Sequence, residues 1–152
     1  MEQPHHTPVV TAPQIKAMAD KIMADLGAGY SECIYQNALL HKLIKLDPSA
    51  STEQTVPVVY ENEVLGTCRL DIVTQDCIIE VKATRKMPSN VCHQIRKYLV
   101  NLRNQDGAAR FGLVINFNQD TEAAEFIDVD PIATAPQEKV YKRRALTSFD
   151  AE

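Results

Sequence analysis

Apolar positions recur first at helical spacing and later at every second residue, and this change of period divides the chain. Ile15, Met18, Ile22, Met23 and Leu26 mark a first helix, with Pro13 suited to its first turn and Gly27 as its stop. A second helix follows Gly29. Ser31 is its expected N-cap, Ile34, Tyr35, Ala38, Leu39 and Leu43 form its apolar stripe, and Asp47-Pro48 closes it. From Thr52 the period shortens. Residues 54–60 read as an edge strand, because Pro57 has no N–H to give to a ladder, and 64–73 as a second strand in which Gly66 marks a bulge. Residues 77–83 read as a third strand, and the short turns 61–63 and 74–76 make the three an antiparallel meander. A third helix opens at Pro88-Ser89, turns Val91, Ile95, Tyr98, Leu99 and Leu102 inward, and ends over 104–107. The run RFGLVINF (110–117) is the nearly continuous apolar stretch of a strand covered on both faces. Residues 121–129 fit either a short helix or a strand. Residues 1–12, with His5-His6, read as a loose arm and 130–152 as a mobile tail, which leaves one domain over 13–129.

At 152 residues, 45% hydrophobic and 24% charged, the chain can bury a core without disulfide or metal staples. Cys33, Cys68, Cys77 and Cys92 form no CxxC pair, which points to reduced thiols rather than zinc or redox chemistry. No run approaches the roughly 18 apolar residues of a membrane span. The first residues have neither the basic segment nor the apolar stretch of a secretory leader, so an intracellular location, cytoplasmic or with the nucleoid or nucleus, is expected.

The formal charge of −4 at first counts against nucleic acid, whose binders usually carry a basic excess. Its distribution changes that picture. Residues 1–81 hold five Lys/Arg against eleven Asp/Glu, and residues 111–152 hold four against eight. Between them, residues 82–110 hold seven basic groups against Asp106 alone. A solvated helix face accounts for part of this segment.

The acidic residues that precede it matter more. Asp71 and Glu80 are nine apart across a short turn, so pairing of 73 with 78 would set them opposite each other, with Cβ atoms about 4.5–5.5 Å apart. Like charges so placed are solvated, share a proton or are neutralised by a cation. Lys82, two residues past Glu80, projects from the same strand face, and its neighbours Leu70, Ile72, Ile78, Ile79 and Val81 are apolar. Such an oxygen set suits Mg²⁺, and Lys82 could stabilise developing charge on a phosphodiester. An Asp–Lys–Glu ion-pair cluster with no substrate fits the same spacing.

The residues Gly29 to Tyr35 spell GxxExxY. EQTVPVVYENEVLG, RLDIV, CIIEVKA, HQIRKYL and GLVINFN follow in that order. This string resembles the GxxExxY proteins of the PD-(D/E)XK nuclease superfamily over roughly residues 13–119. The resemblance implies an α/β (α+β) restriction-endonuclease-like core, a central mixed sheet flanked by helices, and metal-dependent cleavage of nucleic acid, with DNA the expected substrate. It further implies that Asp71 and Glu80 hold Mg²⁺ or Mn²⁺, that Glu32 lends a further metal ligand or orients a ligated water, and that Lys82 and Gln94 serve the attacking water and the scissile phosphate. On local grounds alone Glu32 reads first as a carboxylate that complements a helix dipole. Arg85, Lys86, Arg96 and Lys97 are the residues expected to guide the nucleic-acid backbone. A homodimer is a further expectation. Tyr35 and Tyr98 are expected to pack rather than react. The sequence departs from the family at Gly27-Ala28-Gly29, where GPG is usual, and after Asn118.

Other chemistries find no support. The chain has no GxSxG, no glycine-rich phosphate loop and no HExxH. Cys92 and His93 are neighbours on a helix and point apart. With no Trp and few aromatics, backbone contact is favoured over base stacking. The alternative reading is a non-catalytic module of the same fold, used for binding or assembly in a larger complex or a viral particle.

Overall fold

The computed structural model describes residues 7–130. His5-His6 and the tail from residue 131, including Lys142-Arg143-Arg144, lie outside the described residues. The order is α1 (Ala12–Leu26), α2 (Glu32–Leu43), β1 (Ser51–Tyr60), β2 (Glu63–Val73), β3 (Cys77–Lys82), α3 (Val91–Asp106), β4 (Phe111–Phe117) and β5 (Ala124–Val129). Residues 121–129, open between helix and strand in sequence, thus supply a strand. Among the described residues, no helix is long and apolar enough to cross a membrane.

The packed unit begins before residue 13. Thr11 caps α1 in a reciprocal box with Gln14: its hydroxyl accepts from Gln14 N–H at 3.3 Å, while the Gln14 side-chain Oε1 accepts from Thr11 N–H at 2.9 Å. Val10 is fully buried, and Val9 N–H donates to Asp76 Oδ2 at 2.7 Å. Residues 9–12 are therefore held by the cap and by the β2–β3 turn, and do not belong to a loose arm.

The five strands lie in the order β1-β2-β3-β4-β5. β1, β2 and β3 form the expected antiparallel meander, with the proline-bearing β1 at an edge. β3 and β4 are parallel, and β4 and β5 antiparallel, so the sheet is mixed. A parallel pair needs a crossover, and α3 supplies it. The β1–β2 register shifts between Val58 and Val59, beside the expected irregularity at Gly66.

Two apolar layers sandwich the sheet. On one face Ile15, Ile22, Tyr35 and Leu39 of α1 and α2 cover Ile79, Val81, Leu113, Ile115 and Phe117. On the other, Ile95, Leu99 and Leu102 of α3 cover Leu70, Ile78, Val114 and Val129. β4 is thus covered on both faces, which is why its sequence does not alternate. In α2 the buried positions are Tyr35, Gln36, Leu39 and Leu43, while Ile34 is exposed. Gln36 is accommodated on the inner face, where its Nε2 donates to Glu53 Oε1 at 3.2 Å.

Helix α3 approaches β4 closely at Gly112. A Cβ there would meet Ile95 Cδ1 and Val129 Cβ at 3.0 Å and Leu99 Cδ1 at 3.2 Å. Gly112→Ala is expected to overpack this contact and cost about 1–3 kcal/mol, read as a lowered urea midpoint at unchanged slope. An unchanged midpoint would show that α3 is not seated this tightly on the sheet.

Candidate functional site

Strand β2 changes character at Asp71. Leu70 packs in the α3 layer, yet Ile72 packs in the α1/α2 layer and Val73 in the α3 layer again, so the alternation slips across one residue. On the neighbouring strand, Glu53 has a positive φ of 61°, a conformation that costs energy for a residue with a Cβ. Ser51↔Val73, Thr52↔Ile72 and Gln54↔Leu70 pair, and the ladder omits the position between them, Glu53 opposite Asp71.

On the other side, β3 pairs with β2 in the expected register, Val73↔Ile78 and Ile72↔Ile79, and the ladder stops there. Asp71 and Glu80 are therefore not a ladder pair. Instead Asp71 Oδ2 accepts the Val81 N–H at 2.9 Å, so a side chain takes a backbone donor that a continuing β2 would have occupied. β2 parts from β3 at the carboxylate.

Glu80 is buried among the apolar residues of β3. Its Oε1 is 3.2 Å from Lys82 Nζ, while its Oε2 is buried with no hydrogen-bond partner. Burial and the neighbouring charge of Asp71 push the Glu80 carboxyl up to about 7, against the pull of Lys82. Burial also raises Asp71, outweighing the Val81 N–H bond and the attraction of Lys82. Glu32, in the first turn of α2, is raised by burial and by Asp71, with Lys82 opposing. For Lys82 burial works downward, but the attraction and hydrogen bond of Glu80, with Glu32 and Asp71 beyond, leave it above the ordinary lysine range. Asp71, Glu80, Lys82 and Glu32 thus share one electrostatic neighbourhood.

Gln94 stands exposed on α3, and its Nε2 donates to the buried Tyr98 hydroxyl at 2.6 Å. Burial raises the Tyr98 phenol against the pull of that bond, and the charges of Glu80 and Asp71 act in the same upward direction. Gln94 and Tyr98 therefore border the same neighbourhood. Tyr35 packs: it stacks on Phe117 with centroids 4.6 Å apart, and its hydroxyl donates to Gly27 O at 2.6 Å.

Arg85, Lys86, Arg96 and Lys97 are all exposed. Arg85 and Lys86 follow the end of β3 directly, and Lys97 lies one turn from Gln94. Arg96 does not join them on that flank, since two residues carry it about 200° around the helix from Gln94. A cavity of about 600 Å³, lined by residues including Asp47, Gln54, Gln75 and Arg110, lies at the other end of β3 and contains none of the expected site residues.

Glu53 and Arg69 escaped the sequence reading. Glu53 accepts from Gln36 and pairs with Arg69 at 2.6 Å, and both charges reach Asp71. Nothing local in the sequence marks them, because their role depends on the long-range pairing of β1 with β2.

A carboxyl whose pKa is higher folded than unfolded binds its proton more tightly when folded. Its ionisation therefore weakens the fold as pH rises from about 4.5 through about 7. In EDTA, Glu80→Gln is expected to raise stability at pH 8 by about 1–3 kcal/mol, after the lost Lys82 pairing, and to give no gain near pH 4.5. Urea denaturation at the two pH values checks this. An equal effect at both would disprove the burial of an ionised Glu80.

A family model of the PD-(D/E)XK nuclease superfamily matches residues 10–129. Searches of curated proteins and of solved structures found no match. The mixed five-stranded sheet with three helices agrees with the restriction-endonuclease-like fold of that superfamily, and membership points to nuclease activity on nucleic acid. The matched region takes in all eight elements and the neighbourhood of Asp71, Glu80 and Lys82, so the chain belongs to the PD-(D/E)XK nuclease superfamily.

Proposed function

We propose that this chain is a divalent-metal-dependent nuclease that hydrolyses the phosphodiester bonds of DNA at Asp71, Glu80 and Lys82. The observation that carries the reading is the buried Glu80 Oε2, an acceptor with no partner beside a second carboxylate. A buried carboxylate oxygen left without a donor is costly, and a cation would remove that cost.

The residues fit Mg²⁺ or Mn²⁺ as an open site rather than a closed cage. Among the described residues, no three His, Cys, Asp or Glu side chains form a group able to hold a metal ion by themselves. Mg²⁺ is commonly held by one or two carboxylates, with water and substrate phosphate supplying the rest. Asp71 and Glu80 would hold it, and Glu32 would lend a further ligand or orient a ligated water. When bound, the ion would supply Lewis-acid polarisation of the phosphodiester.

The chain's own groups divide the remaining work. Lys82, ion-paired with Glu80 at 3.2 Å, would stabilise charge that develops on the scissile phosphate. The Val81 N–H fixes the Asp71 carboxylate, and Tyr98 fixes the Gln94 amide at the rim, where it can meet water or phosphate. Arg85, Lys86 and Lys97 supply the positive surface that a phosphate backbone needs beside a cluster of carboxylates, and Arg96 extends it to the far flank of α3.

The test incubates the protein with supercoiled, linear and single-stranded DNA in Mg²⁺, Mn²⁺ or EDTA. Cleavage is expected with metal alone, and Lys82→Ala or Asp71→Asn should lower it about 100- to 1,000-fold. Full activity in Lys82→Ala would overturn the mechanism. Absence of cleavage by the wild type on every substrate would favour the binding or assembly reading. Paired removal of Arg85 and Lys86 is expected to weaken DNA affinity and to reduce the slope of log affinity against log salt by about two. Fluorescence anisotropy at several salt concentrations measures that slope.

A further inference from the structure

The second helix begins without a cap of its own. Ser31 occupies the N-cap position of α2, but its side chain makes no capping hydrogen bond. The preceding loop takes conformations that suit glycine, with φ of 69° at Gly27 and 104° at Gly29, so the local chain does little to fix where Glu32 points. It is held from outside, by the loop between β4 and β5.

Gln119 is the centre of that hold. Its Oε1 accepts the Gly29 N–H at 2.7 Å, three residues before Glu32. Its Nε2 donates to Phe117 O at 2.9 Å and to the Tyr35 hydroxyl at 3.2 Å, and that hydroxyl donates in turn to Gly27 O at 2.6 Å. Its backbone N–H donates to Thr84 O at 3.1 Å, two residues past Lys82. One residue thus ties together the segment that leads into Glu32 and the segment that leaves Lys82.

The loop carrying Gln119 is itself braced. Asn118 Oδ1 accepts the N–H groups of Asp120 and Thr121 at 2.8 and 2.9 Å, and Glu122 N–H donates back to Asn118 O at 3.1 Å. Glu122 keeps a positive φ of 55°, and its Oε1 accepts the Ala28 N–H at 3.2 Å. Two consecutive amides of the glycine loop are therefore received by two side chains of one turn.

We propose that Gln119 is a positioning residue that sets Glu32 against the Asp71, Glu80 and Lys82 cluster by clamping the α1–α2 loop to the exit of β3. The proposal rests on the nuclease reading of that cluster. The Gln119 amide spends its hydrogen bonds on Gly29, Phe117 and Tyr35, so its effect passes through the loop that leads into Glu32.

The test is a double-mutant cycle of Gln119→Met, which keeps the side-chain length and deletes its hydrogen bonds, with Glu32→Gln. Gln119→Met is expected to lower kcat about 10- to 100-fold with KM within about twofold, and to weaken Mn²⁺ binding by calorimetry. Added to Glu32→Gln it should change either quantity by less than about twofold. Gln119→Glu, which keeps an acceptor for Gly29, should recover part of the loss. Hydrogen exchange supplies a readout free of activity: Gly29 and the first turn of α2 should lose protection in Gln119→Met while the sheet does not. Independent, multiplicative effects of the two substitutions, or unchanged protection at Gly29, would overturn the proposal. A wild type that fails to cleave DNA would overturn the nuclease reading, while the exchange comparison and the Mn²⁺ cycle still decide this one.

Discussion

A carboxylate buried beside another carboxylate is an arrangement that a sheet cannot carry in regular form. Asp71 and Glu80 would face each other if β2 and β3 continued to pair beyond Ile72↔Ile79, and burial together with the Asp71 charge already raises the cost of ionising Glu80. The strands part at that point. Asp71 turns to the Val81 N–H, β2 slips its alternation, and Glu53 across the β1–β2 ladder adopts a strained backbone. Much of the local irregularity of this sheet follows from that one constraint.

The rest of the architecture keeps the irregularity from spreading. β3 is pinned on its far side by a continuous parallel ladder to β4, from Cys77↔Phe111 to Lys82↔Asn116. Beyond Lys82, Asn116 receives the Thr84 N–H at 3.0 Å and Asn118 donates to Arg85 O at 3.1 Å, so the basic residues leave β3 in a fixed direction. Both asparagines also donate to Glu125 on β5. Strain on the β2 side is thus opposed by buried polar pairing on the β4 side. A site that bears repulsion without loosening its strand needs such a rigid flank.

The sequence showed these parts unevenly, for physical reasons. The β2–β3 register could be read because the turn 74–76 leaves little choice, and 73 does pair with 78. The divergence two residues later could not, since counting alternate residues presumes a ladder that continues. Glu80 and Lys82 share a strand and are two residues apart, so their convergence is local; their ion pair at 3.2 Å follows from strand geometry. Glu32 is distant in sequence, and only the GxxExxY resemblance suggested it. Gln36, Glu53, Arg69 and Gln119 gave no signal, because each acts through side-chain bonds across 16 to 90 residues. The buried Gln36 belongs to the same class: Tyr35, Leu39 and Leu43 follow the apolar periodicity, whereas Gln36 is satisfied by a hydrogen bond to a strand.

The distribution of charge along the chain now has a structural cause. If the carboxylates hold a cation as proposed, they also repel a phosphodiester, and positive groups are needed where that substrate would approach. A parallel β3–β4 pair requires a long crossover, and the crossover begins where β3 ends, beside the carboxylates. Basic residues placed early in that connection reach the site without entering the buried sheet. Of the seven basic groups in residues 82–110, Lys82, Arg85 and Lys86 meet this need on the proposed reading, whereas Arg110 pairs with Asp106 and lines the cavity at the other end of β3. On the proposed reading, the net charge of −4 averages an acidic segment that offers carboxylates to a cation and a basic one that faces a phosphate backbone.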